Sequence, residues 1–139
     1  LGDVAMSTGA LCERKGVLFV CEEPKAGIII RGDYRRLRQM LLAVADNAVK
    51  FTEQGKTVTL SLEGRTVIIA DEGAGIAQEE LPHIFDRFHR AHGRMGGTGL
   101  GLAIASEVAK RHHIVIDVES RMGQGTTFKF TFPDEKWEA

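Results

Sequence analysis

The run Gly96-Gly97-Thr98-Gly99-Leu100-Gly101-Leu102-Ala103-Ile104 constrains the fold more than any other stretch of the chain. Glycines at this density allow backbone conformations and close approaches that other residues resist. The apolar residues Leu100, Leu102, Ala103, Ile104 and Val108 read as a buried helix that begins inside the run. A glycine turn feeding a helix start presents unpaired backbone N–H groups and the positive end of the helix dipole, which suits phosphate. The spacing excludes two familiar phosphate loops. No G-x-x-x-x-G-K-[ST] string occurs, and the glycines fall as G-x-G-x-G after a polar segment rather than as G-x-G-x-x-G after a strand. A flexible loop that merely ends in a helix start would look the same, so the run alone leaves both readings open.

The rest of the chain narrows what can surround that helix. A length of 139 residues with 43% hydrophobic and 27% charged residues fits one globular domain with a real core. A formal net charge of −1 removes the electrostatic case for nucleic acid or an anionic membrane as main partner. No apolar run approaches the roughly 20 residues of a membrane span, and Leu1-Gly2-Asp3-Val4 lacks the basic and apolar regions of a signal peptide. Cys12 and Cys21 lack metal-ligating neighbours and read as reduced thiols, which places the domain in the cytoplasm. The start at Leu1 rather than Met reads as a piece of a longer protein.

Periodicity supplies the elements. Residues 1 to about 15 form a weak helical segment, followed by strands at Val17–Cys21 and Ile28–Ile30. Asp33 is an N-cap candidate for a helix running to about Thr52 and stopped near Gly55. Leu37, Met40, Leu41, Val44, Ala48 and Phe51 make its core stripe, and Arg36, Ala43, Asn47 and Lys50 line the neighbouring one. Asn47 therefore sits at the edge of the buried face, either satisfied by nearby backbone or aimed at a metal held mainly by ligand phosphates. Val58, Leu60 and Leu62 alternate with polar residues, and Gly64-Arg65 turns that strand into Thr66–Asp71. Residues 72–98 read as irregular apart from a short helix around Glu79–Phe88, and a helix over about 99–112 leads to a hairpin of Val115–Val118 and Thr127–Phe132. The sum predicts an α/β (α+β) two-layer sandwich: a mostly antiparallel mixed sheet of about five strands, with about three helices on one face. Asp71-Glu72-Gly73-Ala74-Gly75-Ile76 ends a buried strand; such a segment accepts a hydrogen bond from an amine and lies flat against a ring, or simply turns the chain.

These elements, in this order, resemble the GHKL ATPase superfamily with its Bergerat ATP-binding fold, and within it the catalytic and ATP-binding domain of sensor histidine kinases. Arg38 to Leu42 with Asp46-Asn47-Ala48-Val49-Lys50-Phe51-Thr52 is similar to the family's N box. Asp71-x-Gly73-x-Gly75-Ile76 resembles its first glycine box, Ile84-Phe85-Asp86-Arg87-Phe88-His89-Arg90 its F box, and Gly97 to Ile104 its second glycine box. Val118-Glu119-Ser120, Gly123-x-Gly125-Thr126-Thr127-Phe128 and Phe132-Pro133 match the usual end of the domain. The resemblance covers nearly the whole chain.

It implies Mg-ATP as cofactor, with Asn47 on Mg²⁺, Lys50 on phosphate or ribose, and Phe51 beside the nucleotide. Asp71 would accept from the adenine amine, with Gly73, Gly75 and Ile76 shaping the base pocket. Gly99, Leu100, Gly101 and Leu102 would turn backbone N–H groups to the phosphates, and Phe88, Thr98 and Thr126 would also bind the nucleotide. Residues 77–98 would form a mobile lid, in which Arg87 and Arg90 are either phosphate contacts or solvated surface charges. The implied reaction is transfer of the γ-phosphoryl group to a histidine of a dimerisation domain upstream of Leu1, with a response regulator downstream and a homodimeric parent that is cytoplasmic or membrane-anchored.

Two positions depart from the family pattern. Ala43 stands where histidine kinases commonly carry a second Asn and the hydrolysing relatives a Glu that activates water; a methyl does neither. That keeps open an ATP-binding regulatory module without efficient phosphotransfer, and disfavours a hydrolase. His113-Ile114 replaces a frequent pair of glycines, a change confined to a turn. None of His83, His89, His92, His112 and His113 has the H-[ED]-x-[RK]-x-P setting of a phosphoacceptor, so they read as surface or lid residues.

Overall fold

Alternation with period two in the strands and a period of 3.6 in the helices sort the chain into a sheet and one covering layer. A computed structural model describes residues 2–22, 33–86 and 101–133. In chain order they form α1 (Gly2–Lys15), β1 (Leu18–Glu22), α2 (Tyr34–Lys50), β2 (Thr57–Glu63), β3 (Thr66–Asp71), a 3-10 turn (Leu81–His83), α3 (Gly101–Arg111), β4 (Val115–Arg121) and β5 (Gly125–Thr131). The five strands lie in the order β1-β2-β3-β5-β4. β1 runs parallel to β2, and every other neighbouring pair is antiparallel. This is the mixed, mostly antiparallel two-layer sandwich that the sequence predicts. The strand expected at Ile28–Ile30 lies outside the described residues.

Each strand turns alternate side chains toward the helices, and register aligns them into rungs across the sheet. One rung is Leu62, Val67, Phe130 and Ile116, and the next is Leu60, Ile69, Phe128 and Val118. Their centres are fully buried, with Leu60, Ile69, Phe128 and Phe130 each no more than 2% exposed. Against this surface α2 lays Met40, Leu41, Val44, Ala45, Ala48 and Val49. The third rung, Val58, Asp71, Thr126 and Ser120, keeps the same face but turns polar after Val58.

The N-terminus of α2 is capped as the sequence predicts: Asp33 Oδ1 accepts from the N–H of Arg35 at 3.0 Å and of Arg36 at 3.3 Å. His112 braces the same corner from the end of α3. Its Nε2 accepts from the Asp33 N–H at 3.1 Å while Nδ1 lies 2.9 Å from the Val108 carbonyl, so the ring carries its proton on Nδ1. His112 is therefore a half-buried strut rather than a surface residue. His113 follows in the left-handed region, φ 58°, and ends α3 as the turn-only reading of that position requires. The expected helix around Glu79–Phe88 shrinks to the 3-10 turn Leu81–His83 within the described residues. Pro82, which has no N–H, fits a first turn and extends no ladder.

Candidate functional site

The polar rung is the sheet side of the site. Asp71 ends β3, where its Oδ1 accepts from the Gly73 N–H at 2.8 Å and the Thr126 N–H at 3.3 Å. Two backbone donors hold that carboxylate in one orientation, and charge-assisted bonds of this kind are the strong ones. Gly73 lies so close to the end of α2 that a Cβ would strike the Phe51 carbonyl. Gly75 has φ +82°, and a Cβ there would run into the Arg121 carbonyl. Gly73 is required for space, and Gly75 for space and conformation.

The segment after Asp71 is clasped to β2 on one side and to β4 and its following turn on the other. Glu72 exchanges bonds with Thr57: its N–H donates to the Thr57 carbonyl at 3.1 Å and its Oε1 accepts from the Thr57 N–H at 2.8 Å. On the other side the Gly123 N–H donates to the Ala74 carbonyl at 2.7 Å, and Gln78 Nε2 donates to the Ser120 carbonyl at 2.9 Å. Ile76 is 1% exposed, and its N–H donates to Ser120 Oγ at 2.7 Å. Ser120 Oγ also lies 2.8 Å from Thr126 Oγ1 and 3.1 Å from the Gly125 carbonyl. Thr126 is thus a buried neighbour of Asp71 through its amide and of Ser120 through its hydroxyl.

The helix side is the last turn of α2. Asn47 is half-buried, and its side-chain amide has no hydrogen-bond partner among the described residues. Lys50 is exposed and pairs with Asp46 Oδ2 at 3.2 Å, one turn back. Phe51 is the half-buried C-cap. Lys15, at the end of α1, donates to the Val49 carbonyl at 2.9 Å and the Lys50 carbonyl at 2.6 Å, a cation on the negative end of the α2 dipole. Gly101 opens α3, and its Cβ position lies 3.8 Å from the Ala43 methyl, so α3 starts against the stripe that carries Asn47. Leu102 is half-buried and packs on the core. Among the described residues no three His, Cys, Asp or Glu side chains gather as a metal cage.

The structure therefore joins Asp71, Gly73, Ile76 and Thr126 into one hydrogen-bonded corner, with Gly75 packed closely against the Arg121 backbone beside it. It brings Phe51 against that corner through Gly73. Asn47 and Lys50 share the end of α2, and Gly101 and Leu102 begin the neighbouring helix. Arg87, Phe88, Arg90, Thr98, Gly99 and Leu100 lie outside the described residues. From the F box, Ile84 is buried and Phe85 packs edge-on to Phe128, ring centroids 6.2 Å apart. Two residues were given no role in the site by the sequence reading. Ser120 was legible as the next inward position after Ile116 and Val118, had the alternation been carried past Val118. Lys15 gives no local signal, because its acceptors are 34 and 35 residues away. No described helix is long and apolar enough to cross a membrane.

Residues 32–136 match the model of the histidine kinase-, DNA gyrase B- and HSP90-like ATPases. The chain is 38% identical over 125 residues to the sensor histidine kinase YkoH of Bacillus subtilis, covering 84% of this chain and 27% of that protein. It is 33% identical over 133 residues to the sensor histidine kinase WalK of the same organism, covering 88% of this chain and 22% of that one. The chain thus spans about a quarter of the length of these relatives. Among solved structures, the mycobacterial sensor histidine kinase MprB superposes with a TM-score of 0.83 at 27% identity, over 95% of this chain and 94% of that one. Full-length ShkA in complex with AMPPNP superposes with a TM-score of 0.79 at 34% identity, over 95% of this chain and 28% of that one.

Proposed function

Because the chain belongs to the histidine kinase-, DNA gyrase B- and HSP90-like ATPase family, and within it to the ATP-binding catalytic domains of histidine kinases, we propose that it holds Mg-ATP and passes the γ-phosphoryl group to a histidine outside these residues. The observation that carries this reading is the polar corner: a carboxylate fixed by two backbone N–H groups, beside a helix end whose Asn47 amide is unpartnered among the described residues. Asp71 accepts from the exocyclic amine of adenine, with Gly73, Gly75, Ile76 and Thr126 forming the base pocket. The Asn47 amide oxygen would hold Mg²⁺, a cation that would neutralise phosphate charge and that generally relies on phosphate and water for most of its ligands. Lys50 and Phe51 flank the nucleotide. By the family resemblance, backbone N–H groups of Gly99 to Leu102 would contact the phosphates, and Arg87, Phe88 and Thr98 would be further nucleotide contacts.

In the transfer, the bond from the γ-phosphorus to the bridging oxygen breaks and one to an imidazole nitrogen forms; ADP leaves with the electron pair and the imidazole sheds its proton. Positioning and charge stabilisation are the work left to the protein in such a step. The partners on this reading are the protein's own dimerisation domain and a response regulator, in a cytoplasmic or membrane-anchored homodimer. Ala43 supports a second reading, a module that binds ATP without efficient transfer. It faces the start of α3 with a methyl, and a methyl neither polarises water nor adds an oxygen to the metal.

Calorimetry with a non-hydrolysable ATP analogue tests the first step: binding that strengthens with Mg²⁺ is expected, and no binding by a folded sample at millimolar ligand would sink the proposal. Labelled ATP with the phosphoacceptor domain supplied in trans separates the two readings, since only a kinase labels the histidine.

A further inference from the structure

Lys15 has no part in the nucleotide contacts proposed above, and it lies ahead of residues 32–136, the span that matches the family model. It nonetheless completes the end of α2. The last four carbonyls of a helix have no partner inside it and must find one elsewhere. In α2 they belong to Asn47, Ala48, Val49 and Lys50. The Phe51 N–H donates to Asn47 at 3.2 Å, the buried Thr52 hydroxyl to Ala48 at 2.7 Å, and the Thr52 N–H to Val49 at 3.3 Å. The Lys50 carbonyl receives none of these. Its partner among the described residues is Lys15 Nζ at 2.6 Å, which also donates to the Val49 carbonyl at 2.9 Å.

Backbone bonds put Lys15 within reach of that helix end. The Gly55 N–H donates to the Gly16 carbonyl at 2.9 Å and the Leu18 N–H to the Lys56 carbonyl at 2.8 Å, so the corner between α1 and β1 is tied to the loop after α2. Gly16 has φ +79°, and a Cβ there would press on the Gln54 side chain. The turn tied in this way carries Asn47 and Lys50, the two side chains proposed for the metal and the phosphates. It is also the negative end of the α2 dipole, an unfavourable place for an anion. The basic residue of the turn itself, Lys50, is paired with Asp46 at 3.2 Å. Lys15 pairs with no carboxylate among the described residues, so its charge bears on the carbonyls alone.

We infer that Lys15 is a positioning residue for the triphosphate: by closing the last carbonyls of α2 with a positive charge, it holds the turn of Asn47 and Lys50 and offsets the negative helix end that a polyphosphate would meet. The inference rests on the ATP-binding reading above and adds to it a residue from outside the matched family span.

The test compares two ligands on the 139-residue chain: ATP with Mg²⁺ by calorimetry and adenosine by NMR shift titration, with circular dichroism to confirm folding. Lys15→Met keeps an unbranched stem and removes the charge and its donors. ATP affinity should fall about five-fold, the scale of one charge at a helix terminus, while adenosine affinity stays at the wild-type value. Lys15→Arg, which keeps a cation with several N–H donors, should recover most of the ATP affinity. A merely structural lysine predicts a different pattern. A frayed α2 end would disturb the base corner too, because the Phe51 carbonyl lies where a Cβ on Gly73 would be, and both ligands would weaken together. Parallel weakening of ATP and adenosine therefore overturns the inference. So does a Lys15→Met chain that binds ATP as wild type does, or a Lys15→Arg chain that binds it no better than Lys15→Met. Should the Lys15→Met chain fail to fold, Lys15→Gln, which loses the charge but keeps two N–H donors, must show the selective loss; equal loss or none refutes the idea. A folded wild-type chain that binds neither ligand refutes the ATP reading itself, an outcome distinct from loss of the selective effect.

Discussion

On the sheet side of the site, Asp71, Ile76, Ser120 and Thr126 are tied together by short bonds to backbone N–H groups and to each other, all before any ligand is considered. On the helix side, Asn47 offers an amide with no partner among the described residues, and Lys50 an exposed ion pair with Asp46. Exposed i,i+4 pairs of that kind contribute only about 0.3–0.5 kcal/mol and release easily. On the proposed function, the difference matches two ligand chemistries. A flat base edge is recognised by fixed geometry, so its receptor gains from rigidity. Phosphates and their metal bring charge and ligands of their own, so groups on that side can stay available until they arrive.

The contrast breaks most sharply at Asn47. Asn47→Ala removes a group that the described fold does not use, and Ala is the better helix former. Thermal stability should stay the same or rise, while ATP affinity in Mg²⁺ should fall about a hundred-fold, roughly 2.7 kcal/mol, as read by calorimetry and a melting curve on one sample. An Asn47→Ala chain that binds as wild type would remove the helix side from the site.

Gly75→Ala attacks the other side and should behave in the opposite way. The new methyl must take up φ +82° and displace the Arg121 carbonyl, with the left-handed conformation alone costing about 1–2 kcal/mol. Here the melting temperature should drop by several degrees, a shift consistent with about 2 kcal/mol in a domain of this size, and nucleotide affinity should fall with it because the clasp to Ser120 loosens. Wild-type melting in Gly75→Ala would mean that the first glycine segment is not held as the hydrogen bonds imply.

How far the sequence foretells each side follows from the range of the interactions that build it. The α2 stripe, the Asp33 cap and the β2–β3 hairpin are set by residues a few positions apart, and all were legible. The parallel pairing of β1 with β2 and the placing of β5 between β3 and β4 join residues far apart in the chain, which no local period reveals. Asp71 and Gly73 stood out as a strand-ending motif. Their fixation by Thr126, more than 50 positions later, did not, because it depends on register. Strand ends behaved likewise: β4 runs on to Arg121 rather than stopping at Val118, and the extra turn of alternation is what brings Ser120 into the rung.

A control should separate stability from both sides of the site. Thr8, 1% exposed on α1, buries a hydroxyl with no hydrogen-bond partner among the described residues. Thr8→Val keeps the shape and removes the stranded polar atom, so the domain should gain about 1 kcal/mol with nucleotide affinity unchanged. Gain of stability with loss of binding would show that α1 acts on the site beyond the Lys15 contact to the end of α2, and the sheet-versus-helix contrast would then need a third member.

The smallest effect comes from Cys12 on the same face of α1. Burial pushes its thiol above the ordinary range by disfavouring the thiolate. The folded state then holds its proton more tightly than the unfolded chain. The stabilisation is complete below the ordinary thiol pKa and is lost as pH rises through the raised one. In denaturant titrations between about pH 8 and 10, wild-type stability should decline with a slope below about 1.4 kcal/mol per pH unit, the ceiling for one proton. Cys12→Ala should start from a lower stability, because it leaves a small cavity, and should decline less steeply over the same range. Adding saturating ATP should raise both curves by the same offset without changing their slopes, since Cys12 is not one of the residues proposed to meet the nucleotide. A slope that ATP abolishes would instead place the titrating group in the site and tie the sheet side to alkaline pH.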